Sequence, residues 1–212
     1  MKTILINASP RKNWNTAQLV KEAMKGAVAA GAEVEYIDLY DLHFNGCMSC
    51  MACKAKGAEK GKCFWKDDLS PVISKILEAD NLIIGSPIYF GEPTAHYRAL
   101  LERLLFVTLS YDGDYFAFDG KVDVGIIYTM NGTQEDYENS MKSALSVHEN
   151  TMKMFLHGSV KVYPSYDTLQ VSDYSKYHME GFNEEAKKNR HQNQFPVDLK
   201  AAFDMGFEMN KM

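Results

Sequence analysis

Short runs rich in Val, Ile and Leu recur along this chain at residues 3–7, 33–38, 81–85, 122–129 and 160–163, and the stretches between them carry apolar residues at helical spacing. Helices are expected over about 16–30, 69–79, 94–106 and 134–156, with a last one ending near the C-terminus. Strands joined through crossover helices pair in parallel, and right-handed crossovers cover both faces of the sheet. The alternation therefore predicts an α/β fold: a three-layer, doubly wound, five-stranded parallel sheet. Ligands of such sheets sit beyond the C-terminal ends of the strands, which directs attention to the loops after Asn7, Gly85 and Thr129.

A chain of 212 residues fits one domain able to bury a substantial core without disulfides or structural metals. Residues 1–212 are read as that domain, with an inserted loop at about 44–66. The net charge of -5 argues against a nucleic-acid partner, which would require clustered Lys and Arg. No apolar run approaches a membrane span, and the first seven residues turn polar too soon for a signal peptide, so a cytoplasmic protein without a membrane partner is expected. The polar stretch 173–193 reads as a solvated helical face or loop, and no chemistry is assigned to it. His148-Glu149 lacks the second histidine of a zinc-protease motif and no G-x-S-x-G is present, which leaves hydrolase readings without an anchor.

The loop after the first strand offers the Ser9 hydroxyl, the Arg11 guanidinium, and Asn15 and Thr16 where a helix begins. Unpaired N–H groups and the positive dipole end at a helix start attract anions, and these donors suit a terminal phosphate monoester. Neither G-x-G-x-x-G nor G-x-x-x-x-G-K-[ST] is present. The plainer alternative is a strand-to-helix turn capped by Asn15 or Ser9, with Arg11 simply solvated. A second segment, from Gly85 through Ser86, Pro87, Ile88, Tyr89, Phe90 and Gly91 to Thr94, leaves the third strand and enters a helix. Such a turn can aim backbone N–H groups at the edge of a planar ring while Tyr89 and Phe90 border its face, or it can be an ordinary turn with core aromatics.

All four cysteines, Cys47, Cys50, Cys53 and Cys63, fall in one short window, as C-x-x-C-x-x-C followed, after nine intervening residues, by the fourth. Four soft ligands suit a [4Fe-4S] cluster or tetrahedral zinc, and the three-cysteine start favours the cluster; reduced, unligated thiols are the third reading.

The pattern Ser9-x-Arg11-x-x-x-Asn15-Thr16, together with Ser86-Pro87-Ile88-Tyr89-Phe90-Gly91 and the helix bearing Glu102-Arg103, resembles the flavodoxin-like NAD(P)H-dependent FMN reductases, and the cysteine loop narrows the resemblance to their iron-sulfur flavoprotein branch. The resemblance covers about residues 1–129. It implies a flavodoxin-like fold and an FMN whose phosphate meets Ser9, Arg11, Asn15 and Thr16. The isoalloxazine would lie against Pro87, Ile88, Tyr89, Phe90 and Gly91, with Thr129, Met130, Asn131 and Gly132 closing the site. It further implies hydride transfer from NAD(P)H to FMN, electron delivery to a flavin, quinone or one-electron acceptor, and a homodimer or homotetramer. Because the flavin N5 carries the chemistry, no catalytic side chain is named. Two rivals are a nonenzymatic iron-sulfur/flavin carrier or redox sensor, and a zinc-stabilised α/β binding module.

Overall fold

In the computed structural model, which describes residues 1–211, the five expected strands form one parallel sheet. Strands β1 (Lys2–Asn7), β2 (Glu33–Asp38), β3 (Asn81–Tyr89), β7 (Val122–Thr129) and β8 (His157–Ser165) lie in the order β2-β1-β3-β7-β8. The chain order reverses at β1/β3, so the loops leaving those two strands diverge and open a crevice between them. Between β3 and β7 lie three short strands. Of these, β4 (Glu92–Pro93) folds back on β3, while β5 (Leu109–Asp112) and β6 (Asp114–Phe116) form a separate hairpin.

Side chains alternate between the sheet's two faces, and both faces are covered. Leu5, Ile83 and Ile127 pack beneath helix α1 (Asn15–Ala29) and helix α7 (Phe195–Asn210), against Leu19, Val20, Ala202 and Met205. Ile4, Ile6, Leu82, Ile84, Val124 and Ile126 face the opposite layer. That layer is built by α2 (Leu69–Leu77), α3 (Ala95–Thr108) and α5 (Lys142–Leu156). Helices α1 and α7 touch backbone to backbone: a Cβ on Gly26 would sit 2.0 Å from the Phe203 carbonyl oxygen, and one on Gly206 1.9 Å from that of Ala23. Only glycine permits that approach.

Several expected boundaries shift. Strand β3 runs four residues past Gly85, because Tyr89 pairs back with Glu92 around a two-residue turn. Phe90 and Gly91 both have positive φ there, +53° and +84°, the signature of a type I′ hairpin. Strand β8 is longer at both ends than residues 160–163. The single helix expected over 134–156 begins as a short turn, α4 (Gln134–Asp136), capped reciprocally by Thr133 and Asp136. A π-helical turn over Tyr137–Met141 separates it from α5. The solvated reading of residues 173–193 holds for most of the stretch and fails at two positions. Tyr174 is buried with Leu169 and Val171, and α6 (Glu184–Asn193) buries Lys187, because a lysine stem can be covered where its ammonium finds acceptors.

Among the described residues no helix is long and apolar enough to cross a membrane.

Candidate functional site

The loop after β1 is shaped by its own side chains. Asn7 Oδ1 accepts from Ser9 N at 3.1 Å, Ser9 Oγ accepts from Arg11 N at 3.1 Å, and Asn7 Nδ2 donates to Asp38 Oδ1 at 2.8 Å. Helix α1 then starts without a side-chain cap, since Trp14 at the cap position supplies none. Asn15 and Thr16, either of which could have capped the turn, are engaged elsewhere. Asn15 Nδ2 donates to the Leu169 carbonyl at 2.8 Å, and Thr16 Oγ1 lies 2.7 Å from Thr129 Oγ1. No side chain caps the first turn of α1, and Trp14, Asn15 and Thr16 at that helix start line the crevice, the arrangement that favours an anion.

The second wall is the end of β3. Ser86 Oγ accepts from Thr94 N at 3.1 Å, and Thr94 Oγ1 donates to the Ala8 carbonyl at 2.8 Å, which locks the start of α3 to the first loop. Burial raises the Tyr89 phenol above its ordinary pKa, against the opposing charge of Arg11. Phe90, at the tip of the turn, is wholly exposed. Glu92, just beyond it, accepts from His148 Nε2 at 3.0 Å, while the other ring nitrogen faces the Arg98 guanidinium. Burial first, and then Arg98, hold the His148 imidazole below its usual pKa, with Glu92 opposing.

These walls enclose a cavity of about 290 Å³ at the C-terminal ends of the strands. It brings together eleven of the residues singled out from sequence: Ser9, Arg11, Asn15, Thr16, Pro87, Ile88, Tyr89, Phe90, Thr129, Met130 and Asn131. Gly91 and Gly132 do not line it. Gly91 completes the type I′ turn, and the Gly132 carbonyl accepts from Asp167 N at 2.8 Å. Three lining residues escape sequence reasoning: Trp14, Thr168 and Gln170. Trp14 Nε1 donates to the Leu169 carbonyl at 3.0 Å, and Arg11 donates to the Gln170 carbonyl. The segment after β8 thus forms a fourth wall. Its signal was the same topological rule that selected the other three loops, applied to one more strand end.

The inserted loop hangs beside α3. Its base is closed by His43 and Asp68, with His43 N donating to Asp68 Oδ2 at 2.8 Å. Arg103, itself 2 % exposed, holds both ends: it donates to the Asn45 carbonyl at 3.2 Å, to Cys63 Sγ at 3.3 Å, to Ser70 Oγ at 2.6 Å and, through two nitrogens, to Asp67. Asp67 Oδ1 in turn accepts from Leu69 N and Ser70 N at the start of α2. Burial alone would raise the Asp67 carboxyl, but the Arg103 hydrogen bond and charge hold it below its ordinary value. The neighbouring Glu102 accepts from Cys47 N at 3.3 Å. All four cysteines line one small hollow with Met48, Met51, Phe64, Trp65 and Phe106. Burial is the largest influence on Cys53 and raises its thiol pKa, against the charge of Lys54. Although the sulfurs share a hollow, among the described residues no three Cys, His, Asp or Glu side chains converge on one ion position.

The chain resembles known proteins at the level of sequence and of fold. Residues 1–163 match the family model described as NADPH-dependent FMN reductase. An iron-sulfur flavoprotein of Methanocaldococcus jannaschii is 43 % identical over 103 residues, covering 49 % of this chain and 51 % of that protein. Another, of Methanosarcina thermophila, is 27 % identical over 164 residues, covering 76 % and 77 %. For the first of these relatives the match spans about half of its length. Among solved structures, an azoreductase from Bacillus anthracis superposes with a TM-score of 0.70 at 13 % identity, covering 98 % of this chain and 99 % of that one. An NAD(P)H:quinone oxidoreductase from Methanothermobacter marburgensis gives 0.67 at 16 % identity, covering 99 % and 98 %; at such identities both establish the fold alone. With strand order, crevice and family match in agreement, the chain belongs to the NADPH-dependent FMN reductase family, beside its iron-sulfur flavoproteins.

Proposed function

We propose that this protein is an FMN-dependent oxidoreductase that takes a hydride from NADH or NADPH and passes electrons to a flavin, a quinone or a one-electron acceptor. The observation that carries the reading is the single cavity that joins an uncapped helix start, beside Ser9 and Arg11, to the Pro87–Phe90 edge of β3. Bound FMN would supply the hydride-accepting N5 of its ring. The protein's own residues bind and orient. Ser9, Arg11, Asn15, Thr16 and the first-turn amides of α1 would hold the phosphate through charge-assisted hydrogen bonds. Pro87, Ile88, Tyr89 and Phe90, on the turn shaped by Gly91, would flank the ring from one side. The Thr129–Met130–Asn131 segment, buttressed by Gly132, would close the other.

The four cysteines form a donor set that fits a thiolate-ligated group, and the apolar hollow with the Arg103 donor at Cys63 supports that use. Cys47, Cys50, Cys53 and Cys63 would hold a [4Fe-4S] cluster, and the chemistry such a group supplies is one-electron transfer. A homodimer or homotetramer belongs to the same proposal, supported by the wholly exposed Phe90 at the cavity mouth, an apolar surface that assembly would cover.

Anaerobic absorption spectra of freshly purified protein, with iron and acid-labile sulfide analysis, test both cofactors. Flavin bands are expected, with added broad absorption from the cluster, and steady-state NAD(P)H oxidation should depend on FMN. Protein that stays colourless after incubation with FMN overturns the proposal in favour of a zinc-stabilised binding module. Bound FMN without nicotinamide turnover would indicate a carrier or sensor instead. Cys50→Ala should lose iron and sulfide while retaining FMN, and unchanged iron content would remove the cluster.

A further inference from the structure

The most polar helix of the molecule, α6, buries a single residue, and that residue is a lysine. The Lys187 side chain is 7 % exposed, and its ammonium donates to three acceptors: the Asn131 carbonyl at 3.1 Å, Asn131 Oδ1 at 2.6 Å, and Asp167 Oδ1. Three donors meet three oxygens, which leaves no unpaired charge-bearing N–H in a covered site. The Phe182 ring lies 5.6 Å from the same nitrogen.

The acceptors belong to two loops already laced together. Thr168 N donates to the Met130 carbonyl at 2.9 Å, and Asp167 N to that of Gly132 at 2.8 Å, with Asp167 in the left-handed region at φ +50°. Lys187 closes the lacing from behind, and Asn131, its principal partner, lines the cavity.

An ammonium can only donate, so the atom of the Asn131 amide that faces Lys187 must be the oxygen. Its orientation is thereby determined, and Nδ2 is left as the half available to a ligand. We propose that Lys187 is a positioning residue that turns the Asn131 amide so that its NH₂ is offered to the ring end of the bound cofactor, where a flavin carries carbonyl oxygens. The inference rests on the flavin reading of the cavity and assigns a role to a residue outside the stretch that matches the family model.

The test compares dissociation constants of FMN and of riboflavin, which lacks the phosphate, for the parent, Lys187→Met, Asn131→Leu and Arg11→Ala. Lys187→Met and Asn131→Leu should each weaken both ligands about tenfold and leave the riboflavin-to-FMN ratio within about a factor of two. Arg11→Ala should instead collapse that ratio. The bound-flavin absorption bands should shift in Lys187→Met and not in Arg11→Ala. If Lys187→Met does not fold, Asn131→Leu, which leaves the lysine its Asp167 and backbone partners, carries the test alone. Parent-like affinity in a folded Lys187→Met or Asn131→Leu variant overturns the inference while the flavin reading stands. A ratio that collapses in Lys187→Met as it does in Arg11→Ala also overturns it. A parent that binds neither flavin overturns both.

Discussion

The cavity above the strand ends takes its walls from four loops, each anchored to a strand of the buried sheet, whereas the cysteine hollow takes its thiols from one inserted segment clasped at its base. The cavity loops are tied to one another: Thr16 to Thr129, Thr94 to Ala8, and Asn15 to Leu169. Their positions follow from strand register and from these bonds, and loops held by the fold itself cost less to order on binding. The inserted segment has one short 3₁₀ turn, Ala52–Lys54, and its sulfurs share a hollow without converging. Gathering such thiolates is work that metal binding itself can do, since ligation and local folding are one free energy. The same molecule thus holds one cavity placed by sheet topology and one hollow whose four thiols come from a single inserted segment.

That contrast can be broken in three places. The largest effect is expected for Arg103→Met, which strands the buried Asp67 carboxylate and frees both ends of the inserted loop; about 3–5 kcal/mol of stability should be lost in chemical denaturation. A loss below about 1 kcal/mol would mean that the loop does not hang from this guanidinium. Next, Arg11→Ala should weaken FMN binding by about 1.5–3 kcal/mol, about 10- to 150-fold in Kd by titration, with little change in the denaturation midpoint because Arg11 is exposed. An unchanged Kd would deny the anion role of the first loop.

The smallest effect separates the two regions by pH. His148 has its pKa lowered, so the fold favours the neutral imidazole. The stability this gives is present above the ordinary histidine value of about 6.5 and is lost as pH falls below it. Asp67 also has a lowered pKa, so its contribution persists through that range and is lost only as pH falls below the ordinary carboxylate value. His148→Gln should therefore reduce the fall in stability between pH 7 and 5, with His96 and His191, also lowered by burial, supplying the remainder and the more acidic limb left intact. A parent with no slope above pH 5 would contradict the buried, deprotonated imidazole.

Much of the fold was legible because both faces of the sheet are buried: continuous Val/Ile/Leu runs such as Ile4–Ile6 and Ile83–Ile84 admit few other readings. Three of the four cavity walls were marked by a rule of topology, and the loop motifs and family resemblance supplied their residues. The fourth was hidden because Thr168 and Gln170 carry no distinctive chemistry, and they are held at the cavity by tertiary hydrogen bonds to Met130 and Arg11. Lys187 was hidden for the opposite reason. It stands in a run of charged residues that spells a solvent face, and only tertiary structure shows that one of those charges is turned inward. The β5–β6 hairpin and the π turn at Tyr137–Met141 likewise depend on packing that local pattern does not encode.

Helix α3 starts at Thr94, bonded to the first loop and to Ser86, and reaches Glu102 and Arg103, bonded to the cysteine segment. Nine residues of α-helix rise about 14 Å. The helix is a strut of set length between the turn that ends β3 and the thiols, so sequence drift in the inserted segment can alter its donor set without altering how far it stands from the crevice.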